Sequence, residues 1–444
     1  MLSRDESLKI CETVLGYAKE AGAQDASVSL QNAVESHARF AGNRISTSGR
    51  SEDVDITATV WIEKRRAAIT GNDPADGALR RLAADAVEIA RISPVQTEYV
   101  PTLGPLDYPE ARGFAASTAD LDVAARAAAL ATVLEECRAA KVTGAGFHDA
   151  RATAVATATA NGNRRYFRST EAAMSVTARS ADDTGSGYYA GDHFDLGRLD
   201  AKGIAARAID KAVQSREPKA IEPAAYPVIL EPQAVADLLG FLVNAFDARL
   251  ADEGRSAFSG GKDNKTRVGE KIVNERINLY SDPMHPDLPA VPATPEGIPA
   301  AKMPIITAGV LQNLDYSRYW AQQQKREPTP GPVNYIFQGA DAVVSLDDMI
   351  KGMERGLLVS RFWYVRLVDP RSIALTGLTR DGLWWIEKGR ISHPVRNLRF
   401  NQGVLAMLAP WNVEAIGTSQ RLSPLVVPPL KLASFTFTSI SDAI

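Results

Sequence analysis

The chain has 444 residues, of which 45% are hydrophobic and 23% are charged, the balance of an ordinary soluble globular protein. This length predicts two to three domains with large cores. The formal net charge of -3 argues against the strongly basic classes of protein, so we expect neither nucleic acid nor an anionic membrane as a partner.

Cys11 and Cys137 are the only cysteines. Two isolated cysteines do not make a disulfide framework, which favours a reducing compartment. The first 22 residues are charged throughout and lack the apolar region of a signal peptide. No run approaches the ~20 apolar residues of a membrane span. We therefore expect a soluble, cytoplasmic protein.

The first half alternates helix-like and strand-like patterns. Leu8, Cys11, Val14 and Leu15 recur at helical spacing, whereas the alternation around Val54 is typical of a half-buried strand. The Asn161-Gly162 pair predicts a tight hairpin turn. In chain order we predict a helix over 5–22, strands over 25–71, helices over 76–93 and 120–141, strands over 143–191 and a helix over 200–216.

These patterns predict an α+β fold with two domains. Residues 1–220 should form an antiparallel sheet with flanking helices, and the three prolines of 217–227 indicate a linker. Residues 225–444 should form a β-rich domain, closed like a barrel because closure removes open strand edges.

One prominent helix is predicted at 232–250 in this second domain, with Pro232 near its first turn. Its buried stripe comprises Val235, Leu238, Leu239, Leu242 and Phe246.

The residues alone predict no active site. The chain has five histidines, and no two of them lie within one or two helical turns, so no single helix can present two imidazoles to a zinc ion. Neither a G-x-S-x-G elbow nor a phosphate-binding G-x-x-x-x-G-K-[ST] loop is present. Asp192, His193 and Asp195 cluster locally, as often occurs by chance. The glycine- and lysine-rich stretch 258–269 is typical of a flexible loop rather than an anion site.

Several short motifs occur in a characteristic order. They are "GRSAFSGGKDNKTRVGEKIVNERINLYSDP" (254–283), "TPEGIPAAKMPIITAGVLQNLDYSRYWA" (294–321), "GLLVSRFW" (356–363) and the stretch 372–408. This order resembles the TldD/PmbA family, which includes the modulator-of-gyrase proteins. The resemblance covers roughly the whole chain and is specific mainly over 228–420.

The resemblance implies a PmbA/TldE-like member. TldD-like members of the family carry HExxxH on a helix before the "SxF" segment, and a cysteine near the C-terminal end completes the metal site. PmbA (TldE)-like members lack these ligands. The two kinds pair as a heterodimer that cleaves peptides, with zinc in the TldD-like subunit.

Counting back without gaps from Ser256 and Phe258 gives the positions of the lost motif. The two metal-binding histidines fall at Leu239 and Asn244, the catalytic glutamate at Gly240 and a further acidic residue at Asp247. No histidine occurs between residues 193 and 285, and no cysteine follows residue 137. The resemblance therefore implies no catalytic residue, metal or other cofactor in this chain.

Four residues of the shared motifs remain candidates for a peptide groove or a structural role: Ser256, Phe258, Glu296 and Gly297. The family's acidic "DDEG" is here "TPEG" (294–297), which keeps only the last two of its residues. Trp363, Trp384 and Trp385 are candidates for an interface or for the core.

Three hypotheses follow. The first is a metal-free partner subunit of a TldD-like, HExxxH-bearing peptidase that acts on unfolded or flexible peptides. The second is a stand-alone metallopeptidase with unorthodox ligands, for which Asp247, Asp252, Glu253, Glu296 and a distant histidine are the candidates. The third is a non-catalytic, peptide-binding homodimer.

Overall fold

The N-terminal half folds into one antiparallel sheet with helices on one face. This computed structural model describes residues 1–261, 265–340 and 344–441. The helices are α1 (Arg4–Glu20), α2 (Asp76–Ile92), α3 (Ala116–Ala119), α4 (Val123–Ala139) and α5 (Ala201–Gln214). The strands are β1 (Asp25–Ala41), β2 (Arg44–Ile62), β3 (Arg65–Gly71), β4 (Val142–Thr159), β5 (Arg164–Ser180) and β6 (Ser186–His193). They pair in the order β3-β2-β1-β4-β5-β6.

Side-chain alternation along β1 explains how this sheet is covered. Val28 and Leu30 are fully buried against α1 and α2, and Phe40 is buried in the cluster beneath α4 and α5. Because successive side chains of a strand point to opposite faces, Ser27 and Ser29 lie on the other side. That side, here called the open face, is where the second half of the chain lies.

The predicted hairpin at Asn161-Gly162 joins β4 to β5. Gly162 adopts φ +97°, a conformation that glycine reaches at no steric cost. The two strands then pair without interruption from Ala158–Arg164 to Val142–Ser180. The predicted antiparallel sheet with flanking helices is thus confirmed.

The C-terminal half contains short helices and thirteen strands among the described residues. The helices are α6 (Pro232–Val243), α7 (Ala248–Asp252), α8 (Arg318–Gln323), α9 (Leu346–Lys351) and α10 (Val404–Met407). The strands are β7 (Ala225–Leu230), β8 (Ile277–Ser281), β9 (Met303–Thr307), β10 (Val310–Leu311), β11 (Tyr335–Gly339), β12 (Arg355–Asp369), β13 (Ala374–Glu387), β14 (Arg390–Pro394), β15 (Leu398–Gly403), β16 (Val413–Ile416), β17 (Gln420–Leu422), β18 (Leu425–Val427) and β19 (Leu430–Ile440).

Five of these strands close into a barrel, as predicted. β12 pairs with β7 on one side and with β13 on the other, while β19 and β15 complete the ring between β7 and β13. Phe362, Phe400 and Phe435 pack at its centre, with ring centroids 4.6–5.4 Å apart. These rings have few rotors and bury a large area each, so they fill a small barrel efficiently.

A second sheet runs beside the barrel in the order β10-β9-β8-β11-β18-β17. Its strands are short. β11 pairs with β18 in parallel although the paired residues, Tyr335 with Leu425 and Ile336 with Val426, lie 90 positions apart in the chain. The central residues of the loop 258–269, for which the sequence predicts a flexible loop, lie outside the described residues.

The predicted helix over 232–250 is wrong as a single element. α6 ends at Val243, a short 3-10 turn covers Asn244–Phe246, and α7 begins after Asp247. Asp247 adopts φ -59° and ψ 118°, outside the helical region, and its side chain caps α7. The predicted apolar stripe is nevertheless buried. The helix is interrupted because the Asp247 side chain accepts a backbone N–H of the next turn and so replaces a helical hydrogen bond.

No helix among the described residues is both long and apolar enough to cross a membrane.

Candidate functional site

The segment from α6 to α7 holds the four positions that the resemblance aligns with a metal motif. Leu239 is 2% exposed and packs in the main core of the second half. Asn244 is exposed, and its amide donates to the Gly240 carbonyl at 3.0 Å. The Asp247 carboxylate accepts the Leu250 amide at 2.8 Å. These side chains therefore serve packing and helix ends.

Metal-ligating residues are dispersed in the described ranges. No group of three or more His, Cys, Asp or Glu side chains there is arranged to hold a metal ion. His148, for example, is 1% exposed beneath the N-terminal helices, and His393 stacks on Trp385 at the barrel. The absence of zinc from this chain remains a prediction.

Most carboxylates proposed for an unorthodox metal site already have partners. Asp252 accepts the Trp320 indole N–H at 2.7 Å. Glu253 forms an ion pair with Arg249 at 3.0 Å. Together with the capping role of Asp247, these contacts hold the groups at the surface of one helix end. They give no converging set of ligands.

A cavity of about 550 Å³ lies between α6 and the open face of the N-terminal sheet. α6 lines it with Gln233, Asp237 and Gly240, which share one helix face, and the sheet contributes Glu171 and Asp192. A Cβ atom added at Gly240 would meet nothing within 4 Å. Packing therefore does not require glycine there, and its missing side chain leaves this space, here called the helix cavity, open.

Asp237 is the only charged residue of α6 and faces the helix cavity. Its carboxylate accepts the Gln233 side-chain amide at 2.9 Å and the Phe362 backbone N–H at 2.8 Å. Burial raises the pKa of Asp237 to about 6, although both bonds and the Arg361 charge act in the opposite direction. The carboxyl can therefore hold a proton near neutral pH.

Glu171 and Asp192 share one guanidinium at the opposite wall. Arg421 donates to both Glu171 oxygens at 2.6–2.8 Å and to Asp192 at 2.6 Å. Burial raises the pKa of Glu171 to about 7, and the Asp192 carboxylate adds to this, while Arg421 lowers it. Two carboxyls that titrate near neutrality thus line the same cavity.

Sequence reasoning missed this arrangement. Glu171, Asp192 and Asp237 come from two strands and a helix that are distant in the chain, so no spacing reveals them. The one available signal is Asp237 itself, a single carboxylate in an otherwise uncharged, apolar helix. The sequence also shows a local cluster of Asp192, His193 and Asp195. Asp192 accepts a hydrogen bond from Arg421, whereas His193 accepts the Asp195 backbone N–H at 2.9 Å.

Ser256 and Phe258, two of the motif candidates, lie in the core. The Ser256 hydroxyl donates to the Ala245 carbonyl at 2.8 Å and accepts the Phe258 N–H at 3.2 Å. The Phe258 ring stacks on Phe246 with centroids 4.9 Å apart. Both residues thereby tie the loop after α7 to the segment before it.

Glu296 and Gly297, the other two candidates, line a second cavity of about 400 Å³ between the open face and the second half. Glu296 accepts the Arg318 backbone N–H at 2.7 Å. Gly297 adopts φ +87°, and a Cβ atom there would lie 2.5 Å from Nη1 of Arg165. Arg66, Arg165 and Arg318 define this space, here called the arginine cavity.

The three tryptophan candidates have different surroundings. Trp384 is 2% exposed and donates its indole N–H to the Gln214 carbonyl at 3.2 Å, so it belongs to the core. Trp385 is partly buried beside the Tyr226 ring. Trp363 is 39% exposed on β12 and remains a candidate for an interface.

Nearly the whole chain is similar in structure to solved proteins with the same fold. TldE from Thermococcus kodakarensis matches 97% of this chain and 100% of its own, with a TM-score of 0.86 and 19% identity. A structure described as a modulator of a DNA gyrase, from Thermotoga maritima, matches the same shares with a TM-score of 0.84 and 16% identity. A DNA gyrase modulator structure from Bacteroides thetaiotaomicron matches 99% and 100%, with a TM-score of 0.84 and 19% identity.

The chain is also similar to a curated protein named metalloprotease, from Methanothermobacter thermautotrophicus. The two are 23% identical over 240 residues, which is 51% of this chain and 50% of that protein. The match therefore spans about half the length of each.

Three family domains match in succession. They are PmbA/TldA metallopeptidase domain 1 at 26–90, the central domain at 110–216 and the C-terminal domain at 223–439. Together they account for most of the sequence in the order that the family prescribes. The chain therefore belongs to the PmbA/TldD family.

Proposed function

We propose that this chain is a PmbA/TldE-like, metal-free partner subunit of a TldD-type metallopeptidase that cleaves unfolded or flexible peptides. One observation carries the proposal: Leu239, Gly240 and Asn244 stand where a gap-free count from Ser256 and Phe258 expects the zinc ligands and the catalytic glutamate. A zinc-bound water needs ligands to hold the ion and a base to take its proton. These three side chains provide neither.

The known relatives support this assignment. The fold is similar to that of TldE, and a stretch of the chain is similar to a protein named metalloprotease. A chain with the peptidase fold but without metal ligands acts in proteolysis only by shaping a site on another chain. A sheet edge such as β3, whose outer side is bridged at Arg65 by Val95, can add an extended peptide as an extra strand along the rest of its length.

The β12–β13 hairpin is our candidate surface for the partner. Four large apolar residues on β12 are exposed: Trp363 by 39%, Tyr364 by 65%, Leu367 by 47% and Val368 by 63%. A cluster of exposed apolar and aromatic side chains is typical of an interaction surface. We expect a permanent assembly with an interface above ~2,000 Å² in total.

The reducing cytoplasm is the compartment we propose. Cys11 and Cys137 are both free and are buried in two separate clusters of the N-terminal half. A pair of unlinked thiols agrees with a compartment in which disulfides do not form.

The proposal is tested by assembly and metal content together. The chain should be expressed with and without a HExxxH-bearing homologue, followed by sizing and elemental analysis. We expect a one-to-one complex whose zinc belongs to the homologue, and no zinc in this chain purified alone. A tightly held zinc in this chain alone would favour the stand-alone peptidase. A stable self-dimer that does not bind the homologue would favour the peptide-binding homodimer.

A further inference from the structure

The arginine cavity has the size and position of a small-molecule site. Its volume of about 400 Å³ falls within the ~300–1,000 Å³ of typical ligand pockets. Ser27 and Thr157, on neighbouring strands of the open face, form part of its floor, and Pro295 to Gly297 of the second half close it from the other side. The cavity exists only where the two halves of the chain meet.

Its guanidinium groups lack sufficient anionic partners. Nη1 of Arg165 is buried and has no hydrogen-bond partner. Arg66 lies over the Trp61 ring at 6.0 Å and forms no ion pair within the described ranges. Arg318 donates to the Pro101 carbonyl at 2.7 Å, and its guanidinium forms no ion pair in the part of the chain that the structure describes. The buried Nη1 of Arg165 is unfavourable without a partner, because a buried polar group costs free energy unless it is hydrogen-bonded.

The carboxylates of the cavity do not fully neutralise this charge, because Glu98 and Glu296 line it beside three guanidinium groups. Glu98 also forms an ion pair with Arg249 at 2.9 Å. Glu296 accepts the Arg318 backbone N–H at 2.7 Å. The cavity lining therefore has an excess of positive charge, which an anion from outside the chain would balance.

Aromatic rings form the remaining wall. The centroids of Trp61 and Tyr99 lie 6.1 Å apart at an interplanar angle of 52°, and Tyr319 also lines the cavity. A guanidinium group matches the planar geometry of a carboxylate better than any other cationic side chain does. Guanidinium donors beside apolar rings therefore suit a carboxylate that carries an apolar group.

We propose that the arginine cavity binds the C-terminal carboxylate of a peptide, with Arg165 and Arg66 as its cationic partners and the Trp61–Tyr99 wall beside the last side chain. The peptide as the source of the carboxylate rests on the proposed function. The carboxylate site itself does not rest on the proposed function, because this chain forms the whole cavity without a partner.

Calorimetric titration of the purified full chain tests the site. The probes are a short unstructured peptide that ends in phenylalanine with a free carboxylate, the same peptide as its C-terminal amide, and inorganic phosphate. We expect the free acid to bind about tenfold or more tightly than the amide, since hydrogen bonds to a charged group contribute at this level. Arg165→Gln and Arg66→Gln should each weaken the free acid several-fold, whereas Arg44→Gln, at an exposed end of β2, should not.

The melting temperature of each variant shows whether it is folded. If Arg165→Gln does not fold, the exposed Arg66 still provides the test. Equal binding of acid and amide, or wild-type affinity in a folded Arg66→Gln variant, would overturn the proposal. Phosphate that binds as tightly as the free acid would overturn the assignment to a peptide terminus. Because no HExxxH homologue is present, failure here leaves the partner-subunit proposal untouched.

Discussion

At the scale of single residues, burial determines what the former motif positions do. Leu239 packs with the core, whereas Gly240 borders the helix cavity and Asn244 is exposed just after the end of α6. A side chain that packs in a core cannot be exchanged for an imidazole without losing apolar contacts and leaving a polar group without a partner.

Leu239→His should therefore destabilise the chain by about 2–4 kcal/mol and should not create peptidase activity. Chemical denaturation measures the free energy of unfolding. Asn244→His is the matched control, because that position is exposed and should change the free energy by less than about 1 kcal/mol. Equal stability of Leu239→His and wild type would show that the helix packs in another way.

Asp237 should make stability depend on pH. Its folded-state pKa of about 6 exceeds the ordinary value of 3.8, so the folded state binds the proton more tightly. The stabilisation from this group is complete below pH ~4 and is lost as pH rises to ~6. At ~1.4 kcal/mol per unit, the loss is on the order of 2–3 kcal/mol.

The variant Asp237→Asn removes this titration. Between pH 4.5 and 7, its free energy of unfolding should fall less than that of the wild type, by up to the same ~2–3 kcal/mol. Burial also raises the pKa of Asp315 to about 6. Asp315 titrates in both proteins, so its contribution to the pH dependence cancels when they are compared. Identical pH profiles would mean that Asp237 is not buried as described.

At the scale of elements, the break between α6 and α7 is the main departure from the expected helix. Asp247 accepts the Leu250 N–H and leaves the helical conformation. Asp247→Ala should lower the free energy of unfolding by about 1 kcal/mol because the cap is lost, whereas Asp247→Asn should retain most of the stability. Thermal denaturation of the two variants distinguishes them. Equal melting temperatures would show that the cap contributes nothing.

Local periodicity predicted most elements but not their partners. Alternation around Val54 and the Asn161-Gly162 turn act within a few residues, so they are readable from sequence. The pairing of β7 with β12, which closes the barrel, joins residues near 229 and 358. The helix cavity and the arginine cavity likewise need side chains from both halves, and no local pattern encodes such a meeting.

At the scale of the whole molecule, charged contacts join the two halves. Arg421 is 8% exposed in its side chain and binds Glu171 and Asp192 of the N-terminal sheet. Lys211 of α5 pairs with Glu231, which precedes α6. These contacts hold the N-terminal sheet against the second half, and the first of them lies at the helix cavity.

Arg421→Gln should loosen the two halves, because it leaves two carboxylates facing each other. With Glu171 partly exposed, we expect a loss of about 2 kcal/mol at pH 8, and faster proteolysis in the linker 217–227. The loss should be smaller at pH 5, since the raised pKa of Glu171 then keeps it protonated. Arg44→Gln is the exposed control. Unchanged proteolysis at both pH values would contradict this account.

The most direct test of the partner-subunit proposal is cleavage of an unstructured peptide by the mixed chains. The cognate HExxxH homologue is assayed alone, with this chain, and with this chain added to a homologue whose catalytic glutamate is replaced by glutamine. We expect the mixture to cleave faster than the homologue alone, no cleavage by this chain alone, and none with the inactivated homologue. A homologue that cleaves equally well alone, with both chains monomeric in the mixture, would contradict the proposal.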